Sequence, residues 1–215
     1  MIKLLFGSFA AAIAMFLTGF LYFAGPIATV GYTSASDAQG AAVQSVLAAN
    51  LPETGTYQVP DPSTQSGTTL YGKGPVATIH YNSRGFAAES TEGLLPGFVL
   101  YLVVAFFMAG ALSQLDRRIA DFKSRAVIVV CFAIAASTLN VLGDPIWLHT
   151  DWRYAIFTFI GDVLMLSIAG LILARWFMPA KAELVQVPAS EPLPVQKPEE
   201  TSSAPEIAVV DRPGL

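Results

Sequence analysis

Long apolar runs alternate with polar stretches along the chain. Four of the runs are long enough to cross a hydrocarbon core about 30 Å thick at about 1.5 Å per residue. With their flanks they predict transmembrane helices over 1–30, 94–115, 126–147 and 154–178. Between them lie a polar segment (31–93), a basic connection (116–125) and a short loop (148–153). From Pro179 the pattern breaks up into Pro, Glu, Ser and Ala, which cannot bury enough apolar surface to fold, so 179–215 reads as a disordered tail. The fold class expected is an all-α membrane protein: a four-helix transmembrane bundle with a small α+β extracytoplasmic cap domain.

Within the first run, Gly7, Ala11, Ala14 and Thr18 recur on one helical face, where small side chains let a neighbouring helix approach. The competing reading is a cleaved signal peptide. The run is longer than an ordinary h-region of 7–15 residues, and no small-x-small site closes it, so a retained helix is expected. In the second run, Pro96 falls in the first turn, where a missing N–H does no harm. In the third, Asp144 precedes Pro145 and marks a helix end.

The 31–93 segment begins with an N-cap signal, Ser36 followed by Asp37, and a short amphipathic helix reaching Asn50. Thr56–Val59, Thr68–Tyr71 and Val76–Tyr81 have the β-branched and aromatic content of strands. Asn82-Ser83-Arg84-Gly85 reads as a turn. Gly72-Lys73-Gly74-Pro75 lacks the spacing and the Ser or Thr of a phosphate loop and is read as a turn. Having no cysteine to staple it, this small unit is expected to lean on the membrane helices or on a partner.

Composition agrees with this pattern. The chain is 53% hydrophobic and 13% charged, about half the charge of an ordinary soluble domain. Its mean hydropathy is +0.55. No stretch is basic enough for nucleic acid. The lone Cys131 excludes an intrachain disulfide and a cysteine-based metal site, and its apolar setting predicts a buried, inert thiol. Charge placement sets the orientation. Arg117, Arg118, Lys123 and Arg125 crowd one connection, and Lys3, Arg175 and Lys181 lie on the same side. Only Lys73, Arg84 and Arg153 lie opposite. By the positive-inside rule both termini are cytoplasmic, in a multi-pass cytoplasmic (inner) membrane protein. Trp147, Trp152, Tyr154, Trp176 and Phe177 fall where interfacial aromatic belts belong.

The candidate chemistry lies in the hairpin of the last two runs. Ser137, Asn140 and Asp144 are spaced as one helical stripe. Asn140 falls about 10 Å below the outer end of its helix and Asp162 about 12 Å below that of the next, by the helical rise. The expectation is that the Asn140 amide donates to Asp162, with the Thr158 hydroxyl assisting one turn away. Two readings follow: an ion or proton site at Asp162, or an interhelical hydrogen-bond cluster worth about 0.6 kcal/mol per bond. In the loop, a solvated Asp151–Arg153 pair is expected, and a relay from His149 to Asp144 is the alternative.

Four helices with a large first outer loop match the layout of claudin-like tetraspan proteins. The outer-loop Trp and paired Cys of that group are absent from 31–93, so layout alone assigns no family. The functional expectation is a non-enzymatic accessory or interaction subunit without cofactor or metal. Its partners would be the lipid bilayer and a membrane protein or second copy of the chain. The alternative is a small proton-coupled transporter or channel component using Asp162. A membrane enzyme would have to use His80 and His149, which lack metal-ligand spacing.

Overall fold

The computed structural model describes residues 2–87, 90–115, 118–119 and 121–178. The expected disordered tail lies outside the described residues.

Four helices are long and apolar enough to span a membrane: Ile2–Ala24, Leu94–Leu115, Phe122–Trp147 and Trp152–Phe177. The first is the α-helix α1 (Ile2–Gly19), which widens into a π-helical turn over Phe20–Ala24. A 3-10 turn, Pro26–Val30, then leads away from it. The polar segment holds α2 (Asp37–Asn50), β1 (Gly55–Val59), α3 (Gln65–Lys73) and β2 (Ala77–Tyr81). Three helices complete the described chain after α4 (Leu94–Leu115): α5 (Phe122–Val141), the single turn α6 (Gly143–Trp147) and α7 (Trp152–Ile172). A π-helical turn, Leu173–Phe177, closes α7.

α1 packs against both α4 and α7, and α7 packs in turn against α5. Small side chains make the seams. Ala11, Ala12, Ala105, Ala109 and Ala169 are fully buried, with Met15 and Leu173 filling the space between them. In hydrocarbon there is no hydrophobic drive between helices, and close packing of such residues is what holds apolar helices together there. Gly7 and Ala11 of the expected small face are buried, whereas Ala14 and Thr18 are only partly covered. The seam is wider than one stripe because α1 serves two neighbours. α4 and α5 are not packed together, and the bundle is open between them.

Residues 31–87 differ from expectation at one element. Thr68–Tyr71 belongs to helix α3 and not to a strand. Thr64 caps it, accepting from the Gly67 N–H at 2.9 Å. The Thr68 and Thr69 hydroxyls then donate to carbonyls one turn back, at 2.9 Å to Thr64 and 3.2 Å to Gln65. Those bonds accommodate β-branched residues in a helix, so their strand preference is overridden locally. β1 and β2 pair antiparallel, with Tyr57 opposite Ile79. Ser36 and Gln39 form a capping box on α2, the Ser36 N–H donating to Gln39 Oε1 at 2.9 Å. Before α3, the Ser63 N–H donates to Asp61 Oδ1 at 2.9 Å and holds that exposed carboxyl below the usual carboxylate range. A depressed folded pKa stabilises above the unfolded value. This turn should therefore loosen only as pH falls through the lowered pKa, which a carboxyl-detected titration of Asp61 would read.

Candidate functional site

Of the five polar residues singled out in the hairpin, the structure buries one fully. Ser137 lies on the α5 seam with Arg125, Val129, Ala133 and Val141, a file repeating every fourth residue. Asn140 and Asp144 fall outside it and are exposed. The reason is helical phase. From Ser137 the seam continues at Val141, about +40° away, whereas Asn140 sits at about −60°. The stripe cannot be extended to Asp144 either, because α5 ends at Val141 and α6 begins a new turn. No hydrogen bond joins Asn140 to Asp162 among the described residues, so the expected amide–carboxyl bridge does not form.

Asp162 is half-buried and lies within electrostatic reach of the Tyr101 phenol on α4. Gly19 of α1 makes this approach possible. A β-carbon there would lie 2.7 Å from Met165 Sδ and 3.1 Å from Tyr101 Oη. Where α1 has no side chain, α4 and α7 come together over its backbone. The carboxyl thus belongs to a three-helix junction of α1, α4 and α7. Tyr101 is the member that sequence reasoning missed; its signal was a hydroxyl-bearing ring inside an apolar run, where it needs a polar neighbour.

The hydroxyls of Ser137, Thr158 and Ser167 are buried without a hydrogen-bond partner. Val129 on α5 and Gly170 on α7 face each other so closely that a β-carbon on Gly170 would lie 2.2 Å from Val129 Cγ1. Stepping about two turns outward along both helices from that contact brings Ser137 to the level of Asp162. By that register Ser137, not Asn140, is level with Asp162; Asn140 lies about 4.5 Å farther out and faces away from the seam.

Above the junction, an aromatic group ties the end of α1 to α7. Tyr22 stacks on Phe157 with centroids 4.7 Å apart and donates its hydroxyl to the Phe157 carbonyl at 3.0 Å. Phe23 meets Phe157 edge-on. Arg153 does not pair with Asp151 through its guanidinium. Its side chain reaches back to the Val30 and Thr29 carbonyls, while Asp151 caps α7 by accepting from the backbone N–H groups of Arg153 and Tyr154. The unsatisfied carbonyls after α1 compete for the guanidinium and hold it. His149 has a positive φ of 52°. With Leu148 and Thr150 it faces Gln58, Tyr71 and Thr78 across a cavity of about 190 Å³, so the 148–150 loop lies beside the strand pair and α3. His80 is apart, its Nδ1 3.1 Å from Thr56 Oγ1. Cys131 is exposed, contrary to expectation, because it falls on the side of α5 away from the fourfold seam.

Among the described residues, no group of three or more His, Cys, Asp or Glu is placed to hold a metal ion. Comparison with family models, curated proteins and solved structures gave no match.

Proposed function

We propose that this chain is a four-span protein of the cytoplasmic membrane that acts as a non-enzymatic accessory subunit, presenting its 31–93 segment as a cap outside the membrane to a protein partner. The observation that carries the reading is α2. It has a capping box and regular geometry, yet none of its residues is buried, and Val43 and Val46 are 59% and 61% exposed. A free helix of about 12–15 residues is marginal in water, so one this short draws its stability from something it packs against. No other described element packs extensively on it. The basic 116–125 connection supports a cytoplasmic placement for that loop, and exposed Trp147, Trp152 and Trp176 fit interfacial belts.

The test is a photo-crosslinker at Val46 in intact membranes. A discrete adduct with another protein, lost in Val43→Asp/Val46→Asp, is the expected result. A protein that crosslinks to nothing and leaves detergent extraction alone and monomeric overturns it.

A second reading, a proton-coupled transporter or channel component, draws support from one further observation. Asp162 accepts no hydrogen bond among the described residues, and Ser137 and Thr158 nearby are orphaned as well. An intramembrane acid without a structural partner is a functional hypothesis by default. Asp162→Asn keeps the shape and removes the titratable group. Loss of proton flux in reconstituted vesicles, with unchanged thermal unfolding, supports the second reading; flux equal to that of the parent removes it.

A further inference from the structure

We infer that the open side of the bundle, between α4 and α5, receives a transmembrane helix of another protein that carries a lysine or arginine at the depth of Asp162. The inference rests on the accessory-subunit reading above and gives that subunit a partner contact inside the membrane. The gap encloses about 300 Å³, with Met108 and Ala111 of α4 and Phe132 and Ala136 of α5 as walls and Leu166 of α7 as floor. α1 packs on α4 and α7, and α5 packs on α7, but α4 and α5 barely meet, so one position beside α7 is left unfilled. Alanines on both walls let a helix backbone approach closely.

What selects the occupant is the polar outer end of the gap. Asp162 stands one turn outward from Leu166 and about 40° round α7 from it, where the junction with α1 and α4 opens to the gap. By the same phase, Asn140 on α5 lies one turn outward from Ala136 and about 40° from it. Asp162 is half-buried, Asn140 is exposed, and neither is shut inside a seam. Asp162 is near the middle of the Trp152–Phe177 span and accepts no hydrogen bond among the described residues. A carboxyl at that depth costs free energy unless a partner meets it. An acyl chain in the gap offers no donor there, whereas a helix bearing a basic side chain does. A second copy of this chain does not, because residues 4–24, 94–115, 126–147 and 154–174 contain no Lys, Arg or His. The helix that completes the bundle is therefore a different protein's, with apolar residues against the inner walls and its base at Asp162.

The experiment reconstitutes the full chain in phosphatidylcholine vesicles with a synthetic alanine–leucine transmembrane peptide. The peptide has one lysine at its centre, or leucine in its place. A photo-crosslinking phenylalanine analogue at Phe132, which lines the gap, reports its arrival. The expected result is a peptide adduct favoured on the order of tenfold for the lysine peptide. The same analogue at exposed Val127, about 140° round α5, should give little adduct with either peptide. Asp162→Asn should bring the lysine peptide down to the level of the leucine peptide, with thermal unfolding unchanged. Equal yields from the two peptides, an unaltered preference in Asp162→Asn, or equal capture from Val127 would each overturn the proposal. So would a self-adduct of the chain at Phe132, which assigns the gap to a second copy, or adducts to lipid alone. The comparison of the two peptides on the parent protein needs no variant and decides the matter even where Asp162→Asn fails to fold. Absence of a Val46 adduct beside a lysine-selective gap would sink the cap reading alone. Release of the chain by alkaline carbonate would sink the membrane reading beneath both.

Discussion

Gly170→Leu is expected to destabilise the helix assembly strongly, while Gly110→Leu leaves it nearly unchanged. Both glycines lie inside long apolar helices, and hydropathy treats them alike. Their surroundings differ. A β-carbon at Gly170 would meet Val129 Cγ1 at 2.2 Å, Val129 Cγ2 at 3.0 Å and Met108 Cε at 3.1 Å. Valine is stiff at χ1, so it has no flexible end to swing away. The helices must separate, and the seam between α5 and α7 is opened where it is tightest. Overpacking of this kind costs about 1–3 kcal/mol, and a leucine here belongs at the upper end. At Gly110 nothing lies within 4 Å, so the side chain projects into open space. Thermal unfolding in detergent is the measurement, with a drop of about 2–4 °C per kcal/mol for a chain of this size. Equal shifts for the two variants would mean that α5 and α7 do not meet at this point.

The second large effect concerns α1. Peptides from Ile2–Gly19 should be recovered from the mature membrane-extracted protein, and a chain lacking residues 2–24 should fail to yield a monodisperse species. α1 is the principal neighbour of α4 and one of the two main neighbours of α7. Its Gly7, Ser8, Ala11, Ala12, Met15 and Gly19 are buried against them. Removing it would expose fully buried Ala105, Ala109 and Ala169 and leave α4 with only slight contact to α7. Helices that insert independently associate afterwards by side-to-side packing. Supplying residues 1–35 as a separate polypeptide should therefore rescue the shortened chain. A truncated protein that unfolds at the parent temperature would show that α1 contributes no packing, as expected of a removable leader.

The apolar spans, the Ser36 N-cap of α2, the turn at Asn82–Gly85 and the crowding of basic residues in one connection were all legible from residue order. Each rests on interactions between near neighbours in the chain or between a residue and its solvent. Apolar length decides a span, and the Ser36–Gln39 pair closes within one turn. Thr68–Tyr71 shows where even a local signal gives way, since strand propensity lost to a helix capped by Thr64, in which Thr68 and Thr69 bond back to the preceding turn.

The facing of polar groups was not legible. The hydropathic runs of α4, α5 and α7 are apolar on all sides, so no stripe in their sequences says which side meets a neighbour. Helical phase brought Ser137, Asn140 and Asp144 near one another but left the seam direction open. That direction is set by where Gly170 lets α7 approach Val129, and it chose Ser137 and Val141 over Asn140. The same close packing left Asp162 nearer to Tyr101 of α4 than any reading of the hairpin alone would place it. Residue order by itself determined which stretches are long and apolar enough to span a membrane and which connection between them gathers positive charge, because transfer from water is nearly additive along the chain. Only the tertiary structure decided which carboxyl meets which helix and where a gap stays open, because those depend on volumes contributed by residues far apart in sequence.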